Sequence, residues 1–251
     1  MAGNARTPGA SVASRLLAVL AAFDAGHQRL TLSELARRAD LPLATAHRLV
    51  GELERWEGLT RREDGRYEIG RRLWDLGILA PVQRDLRETA LPYLQDVHQA
   101  TGETVHLAVR DGAACLYVER IMARTSAPVL SRTGTRLPMH VTAVGKVLLA
   151  HAPADVVRAA LDKPARVTAY SITEPGRLLR ELAECRRRGF ARTAEELTPG
   201  AWSAAVPVSA GSGQVVAALG IVVASPRRDL VRLVPVLQVA AHGIGRSLPE
   251  G

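Results

Sequence analysis

The stretch Thr31-Leu-Ser-Glu34-Leu-Ala-Arg-Arg-Ala39-Asp-Leu-Pro42-Leu-Ala-Thr45-Ala-His-Arg48-Leu-Val-Gly-Glu-Leu53-Glu-Arg-Trp56 decides how the first third of this chain folds. Thr31 and Glu34 are spaced as a capping box. The threonine hydroxyl can accept from the amide three residues on, while the glutamate reaches back to the cap. A short helix follows to about Ala39, and Asp40-Leu-Pro42 breaks it, with proline suited to an early helical position. The next helix runs to about Trp56. Its apolar residues Ala46, Leu49, Val50 and Leu53 recur at i, i+3, i+4 and i+7, which buries one face. The other face then presents Ala44, Thr45, His47, Arg48, Gly51 and Glu52.

Upstream, Val12, Leu16, Val19, Leu20 and Phe23 keep helical spacing after Ser11, and Gly26 closes that segment. Downstream, residues 59–62 and 66–69 are strand-like and flank Glu63-Asp64-Gly65, an Asp-Gly hairpin turn. Three helices and a basic hairpin in this order predict a winged helix-turn-helix, whose second motif helix enters the major groove of DNA. A helical bundle with an added hairpin is the bland alternative. The candidate DNA contacts are Thr31 and Ser33 beside the first motif helix, and Leu43, Ala44, Thr45, His47 and Arg48 on the second. Arg61, Arg62 and Arg66 on the wing join them, suited to backbone or minor-groove contacts. Residues 70–80 then form a connecting helix. Its Leu73, Trp74, Leu76 and Leu79 make a sticky stripe that suits packing against a second subunit.

The chain has 251 residues, 47% hydrophobic and 23% charged, enough to bury a sizeable core as one large domain or two ordinary ones. Its net charge of +8 invites a nucleic-acid reading. Yet residues 1–80 hold 12 arginines against 10 acidic residues, so only +2 falls there. Placement of the arginines, not their excess, carries the argument. Two cysteines, Cys115 and Cys185, are too few and too far apart for a disulfide framework or a CxxC metal site. Cys185 reads as partly buried filler with slight thiolate character lent by the arginines after it. No apolar run approaches the roughly 18–20 residues needed to span a bilayer, and the first eleven residues lack an apolar signal region. The expectation is a cytoplasmic protein, nucleoid-associated when bound to DNA, with no cofactor, metal or membrane partner.

Beyond Pro81 helices and strands mix. A helix over 86–100 leads to strands at 103–110 and 114–121, joined at Asp111-Gly112. An apolar stretch at 127–130 precedes a loop over 134–138. Helices follow near 143–151, 154–161 and 174–188, strands near 190–195, 201–207 and 215–223, and a closing helix from about 226 to 247. This segregation predicts an α+β domain, an antiparallel sheet flanked by helices. Ala143, Val144 and Gly145 fall at a helix N-terminus, where free amides and the helix dipole favour an anion such as a carboxylate. His140 and Thr142 are candidate further donors, although Thr142 equally suits a simple helix cap.

Leu41-Pro42-Leu-Ala-Thr45-Ala-His-Arg48-Leu-Val and Asp64-Gly65-Arg66-Tyr67-Glu-Ile-Gly70 resemble the DNA-binding domain of IclR-type bacterial transcription regulators. Gly134-Thr-Arg-Leu-Pro138-Met-His140-Val-Thr-Ala-Val-Gly145-Lys146 and the later Arg187-Arg-Gly189-Phe190, Glu195-Glu196, Pro199-Gly200 and Ala204-Ala-Val-Pro207 resemble that family's second half. The resemblance implies a winged helix-turn-helix over 8–70, a linker helix over 71–82 and a GAF-like effector-binding domain over 83–249. It also implies a homodimer, or a tetramer as a dimer of dimers, on a palindromic double-stranded operator, with a small organic acid or aromatic metabolite as effector. By position in the family's pocket, Thr193, Ser203, Gly220 and Val222 form the opposite wall. There the family's acid-binding members carry an aspartate, a cysteine and two serines. Their loss predicts a roomier, less polar site for a larger, partly apolar or aromatic carboxylate. Met139 and Trp202 are candidate lining residues that also suit plain core.

The expected function is a ligand-responsive transcription regulator, read as a repressor. The rival from another class is a small-molecule-modifying enzyme fused to a DNA-binding-like domain, against which stands the absence of a nucleophile elbow, phosphate loop, HExxH or paired-carboxylate motif. A ligand-free architectural DNA-binding protein is the third reading, disfavoured by the size of the second domain.

Overall fold

The computed structural model describes residues 11–24, 26–79, 83–122, 131–224 and 229–248. The chain divides into two compact units, residues 1–82 and 83–251.

In the first unit, α1 (Val12–Ala21) is capped by Ser11, whose hydroxyl accepts from the Ser14 amide. Helix α2 (Leu32–Arg38) carries the full capping box: the Glu34 amide donates to Thr31 Oγ1 at 3.3 Å and the Thr31 amide to Glu34 Oε2 at 2.8 Å. Helix α3 (Leu43–Arg55) starts one residue after Pro42, which serves as its cap and not as its first turn, and it buries Ala46, Leu49, Val50 and Leu53. Leu49, Val50 and Leu53 meet Val19, Leu30, Leu35, Leu59 and Tyr67 in one core. Strands β1 (Leu59–Arg61) and β2 (Tyr67–Ile69) pair antiparallel, and Gly65, at φ +77°, takes the left-handed turn position that glycine adopts at no steric cost. Leu30 and Tyr67 exchange both backbone hydrogen bonds, at 3.0 and 2.7 Å, and so lash the wing to the entrance of α2. Helix α4 (Arg71–Gly77) ends sooner than the sequence pattern suggested.

In the second unit, α5 (Arg84–Thr101) precedes a six-stranded antiparallel sheet. Its strands are β3 (Thr104–Asp111), β4 (Ala114–Ile121), β5 (Arg136–Pro138), β6 (Ala191–Ala194), β7 (Trp202–Ser209) and β8 (Val215–Val223), in the order β5-β4-β3-β8-β7-β6. Between β5 and β6 lie α6 (Ala143–Ala150), α7 (Ala154–Asp162) and α8 (Pro175–Arg188); α9 (Val234–Ser247) closes the unit. Side chains alternate along each strand, so both faces are buried. Val105, Leu107, Val206, Leu219 and Ile221 meet α5 and α9 on one face. Ala108, Tyr117, Ala205 and Ala218 meet α6 and α8 on the other. Every residue of α6 is buried.

Two expectations need correction. Part of the 134–138 segment, read as a loop, is β5, held to β4 through Leu116↔Arg136, Cys115↔Leu137 and Ala114↔Pro138. The closing helix is not continuous from 226: a 3₁₀ turn (Leu230–Leu233), capped by Asp229, precedes α9. Pro235 at the start of α9 explains the break, because proline is tolerated in the first helical turn and disrupts an interior. The apolar stretch 127–130 and the start of that closing segment lie outside the described residues.

Candidate functional site

On the first unit, α3 turns Leu43, Ala44, His47 and Arg48 to the exterior, with Thr45 half-buried between them and Ser33 exposed on α2. Leu43, 53% exposed at the helix start, offers an apolar contact of the kind that reads a thymine methyl. Thr31 is differently placed. Its hydroxyl proton goes to Glu34 Oε2 at 3.0 Å, which leaves it no free donor. The wing arginines also divide. Arg66 reaches back to Glu34 Oε2 at 3.2 Å and to the Arg29 carbonyl at 3.4 Å, bracing the wing against α2. Arg62 donates to Glu68 at 3.1 Å, and the Arg61 guanidinium lies 5.8 Å from the Tyr67 ring centre. The Thr31 amide and hydroxyl, with Arg66 and Arg37 beyond, hold the Glu34 carboxyl below the usual range. On α4 and the two residues after it, Trp74, Leu76, Ile78 and Leu79 are all exposed, Leu79 by 68%.

On the second unit, a cavity of about 30 Å³ sits where α6 begins. Its walls are His106 from β3, Tyr117 from β4, Ser131, Val141, Thr142 and Ala143 before and at the start of α6, Thr193 from β6, Leu197, Thr198 and Ala201 from the 195–201 segment, Ser203 from β7 and Val222 from β8. Five expected residues thus share one cavity: Thr142, Ala143, Thr193, Ser203 and Val222. Thr142 caps α6 by accepting from the Gly145 amide at 3.1 Å, while the Ala143 and Val144 amides have no partner within the helix. Thr193 and Ser203, opposite each other across β6 and β7, share a hydrogen bond of 2.5 Å.

The remaining expected residues go elsewhere. Met139 is core. His140 donates from Nε2 to the Ala165 carbonyl at 2.9 Å and does not line the cavity. Gly145 is a close-packing glycine: a Cβ there would sit 2.4 Å from the Met139 backbone. Trp202 lines a separate, open groove of about 700 Å³ on the β6 side, together with Lys146, Tyr170, Glu181 and Arg192. Gly220 does not widen the cavity. The space its side chain would take holds His106 Nε2 and Val144 Cγ1, each 2.7 Å from the Cβ position. The pocket is therefore not roomier at this point, because an imidazole stands where a serine would.

His106, Tyr117, Ser131 and Thr198 went unread in the sequence. One signal was available: His106 interrupts the apolar run Val105-His106-Leu107-Ala108-Val109 at a position that alternation buries. Burial, followed by the field of Arg120, takes its imidazole down to about 3, so it is neutral throughout the physiological range. Its ring meets Tyr117 edge-on at 5.0 Å. Burial likewise raises the Tyr117 hydroxyl well above its ordinary value and the Cys115 thiol to about 11. No Asp, Glu, Lys or Arg is among the described lining residues, and the one imidazole is neutral. His106 Nδ1, Ser131 Oγ and Thr198 Oγ1 are buried without a hydrogen-bond partner among the described residues, and all three residues line this one cavity. Cys185 is buried on α8, and burial pushes its thiol up to about 11 against the pull of Arg186 and Lys146; the expected thiolate character is absent. Among the described residues no cluster of three His, Cys, Asp or Glu could hold a metal, and no helix is long and apolar enough to cross a membrane.

Comparison with known proteins bears on both units. The family model for the bacterial transcriptional regulator IclR C-terminal domain matches residues 80–246, and the IclR helix-turn-helix model matches residues 12–63. The HTH-type transcriptional regulator XynR of Escherichia coli K12 is 31% identical over 240 residues, covering 93% of this chain and 95% of that protein. The glycerol operon regulatory protein of Streptomyces coelicolor is 31% identical over 246 residues, covering 94% and 96%. Among solved structures, an IclR homolog from Microbacterium hydrocarbonoxydans, complexed with 4-hydroxybenzoate, superposes with a TM-score of 0.88 at 35% identity, covering 95% of this chain and 99% of that one. The IclR of Thermotoga maritima gives 0.75 at 28% identity, covering 94% and 96%.

Proposed function

This chain belongs to the IclR family of bacterial transcription regulators, and from that premise we propose that it is a repressor whose effector is a small aromatic carboxylic acid held at the start of α6. It is a DNA-binding regulator with a ligand-binding second domain, not an enzyme. The observation that carries the effector reading is the convergence of three unpartnered buried polar atoms on one uncharged cavity beside the Ala143 and Val144 amides. Each buried group left unsatisfied costs about 1–3 kcal/mol. A ligand supplying hydrogen bonds to them recovers that cost. The helix terminus suits a carboxylate, and the neutral His106, Ser131 and Thr198 suit a hydroxyl. The 4-hydroxybenzoate bound by the Microbacterium protein has both groups.

As it stands the cavity is about the size of one water. An aromatic ring enters only if the walls move, so binding and conformational change are one event. The regulator's response is then the difference in affinity of the two states for DNA. The exposed apolar stripe of α4 supports a homodimer, or a tetramer of paired dimers, that sets two α3 helices on a palindromic operator in the cytoplasm. Calorimetric titration with 4-hydroxybenzoate, benzoate, glyoxylate and pyruvate tests the effector class. Binding of the benzoates with release of operator DNA is expected, and tight binding of the two keto acids alone overturns the reading.

A further inference from the structure

We propose that Lys146 is a positioning residue for this cavity: it clamps the 195–201 segment, which forms one wall, to α6, which forms another. The proposal deepens the effector reading above and rests on it only for the ligand. Lys146 lies one turn beyond Thr142 on α6 and is 2% exposed. Its ammonium donates to Glu196 Oε1 at 2.7 Å and to Glu181 Oε2, on α8, at 2.5 Å. Glu196 opens the segment that brings Leu197, Thr198 and Ala201 to the cavity. The segment is bent at both ends, with Glu195 at φ +58° and Gly200 at φ +74°, and the Gly200 amide donates to Glu195 Oε2 at 3.0 Å. Thr168 and Ser171 hydroxyls grip its backbone at the Glu195 and Glu196 carbonyls, each at 2.8 Å. Among the described residues, Lys146 is the side chain of α6 that hydrogen-bonds to this segment, through Glu196.

Stability does not explain the arrangement. A buried ion pair recovers its desolvation cost only with good geometry, and an apolar replacement of similar volume is often as stable. Here the buried Lys146 faces two acids, Arg177 reaching only Glu181 at 4.0 Å from an exposed position, burial raises the Glu196 carboxyl, and Glu196 Oε2 has no partner among the described residues. What the cluster accomplishes is geometric. The helix whose first amides would hold a carboxylate and the segment that covers the cavity are fixed to one another through the Lys146 side chain. A ligand that shifts either wall must work against this tie, and a ligand once bound is retained by it.

The two acids separate the clamp from a general structural role. Hydrogen exchange of the full chain without ligand is compared for wild type, Glu196→Gln, Glu181→Gln and Lys146→Met. Glu196→Gln is expected to speed exchange in 195–201 by about tenfold, the effect of weakening one charged buried hydrogen bond, with β3 and β8 unchanged. Glu181→Gln keeps the tie to the segment and leaves 195–201 as in wild type. Lys146→Met, if folded, matches Glu196→Gln. Equal effects of the two glutamine variants, an acceleration spread over the whole unit, or no change at 195–201 in Glu196→Gln overturns the clamp. With 4-hydroxybenzoate as probe, Glu196→Gln should raise the dissociation rate about tenfold with little change in association. An unaltered dissociation rate overturns the retention. Should wild type fail to bind 4-hydroxybenzoate, the effector reading falls, and the exchange comparison still decides the clamp.

Discussion

Acid should destabilise the second unit through His106, and the size of the effect follows from its burial. The imidazole titrates near 6.5 in an unfolded chain and at about 3 in the fold, first because the charged ring would lose its water and second because Arg120 opposes another positive charge. Between those values the unfolded chain binds a proton that the folded one does not, so stability falls as pH falls. The contribution is fully present above pH 6.5 and is lost progressively down to about 3. Each pH unit well inside that window costs about 1.4 kcal/mol, which makes the loss from pH 8 to pH 5 about 2 kcal/mol. Carboxyls held low by exposed partners, such as Asp24, Glu34 and Glu184, lose their contribution at lower pH still. Glu196, raised by burial, acts with the opposite sign.

The comparison of wild type with His106→Gln removes this one titration and leaves the others common to both. Trp202 is the only tryptophan of residues 83–251, so a Trp56→Phe, Trp74→Phe background reports that unit alone. Urea unfolding followed by its fluorescence at pH 8, 7, 6 and 5 should show wild type losing about 2 kcal/mol more than the variant, with most of the difference below pH 6.5. Parallel profiles would refute the burial of a neutral imidazole, and so would a wild type that gains on the variant in acid.

Restoring a side chain at position 220 should be resisted. Gly220→Ser brings its Cβ to 2.7 Å from both His106 Nε2 and Val144 Cγ1, and overpacking of this kind costs about 1–3 kcal/mol; an unchanged urea midpoint would show that the imidazole has somewhere else to go. Arg48→Ala should lower affinity for the specific operator with the thermal midpoint unchanged, since the side chain is exposed on α3; undiminished operator binding in a gel shift removes Arg48 from the interface. Arg62→Ala should weaken binding to all sequences alike and reduce the slope of log affinity against log salt by about one; an unchanged slope means that Arg62 stays with Glu68.

The winged helix-turn-helix was legible because its determinants are local. A capping box, a proline break, four apolar residues at helical spacing and an Asp-Gly turn each act over a few residues, and each forms, with Pro42 one position earlier than read, as the cap of α3. Tertiary bracing was not legible: Arg66 pairs with Glu34 across 32 positions, and no pattern within the hairpin tells a bracing arginine from a DNA-facing one. The linker stripe shows the same limit from the other side. Its apolar residues are evident in sequence, yet only the fold shows that Trp74 on α4 and Leu79 just beyond it stay uncovered.

The cavity was half legible for a related reason. The sheet order sets β3 beside β8, strands more than 100 residues apart, so the walls meet through pairings that no local periodicity encodes. Resemblance supplied single positions, Thr193, Ser203, Gly220 and Val222, and reading them one at a time turned the loss of a serine into a gain of room. The register places His106 directly opposite Gly220. A glycine on β8 admits an imidazole from β3 into the space that a side chain on β8 would otherwise fill, so polarity is moved across the pair and not removed. The hydrogen-bonding group facing the cavity is therefore a neutral ring nitrogen where a serine at 220 would supply a hydroxyl. That nitrogen either donates or accepts depending on its tautomer. A ligand hydroxyl can satisfy it in either form, whereas a carboxylate is served only when Nδ1 carries the proton. Under the proposed effector reading, that asymmetry favours the hydroxyl end of a hydroxylated acid at His106 and the carboxylate at the amides of α6.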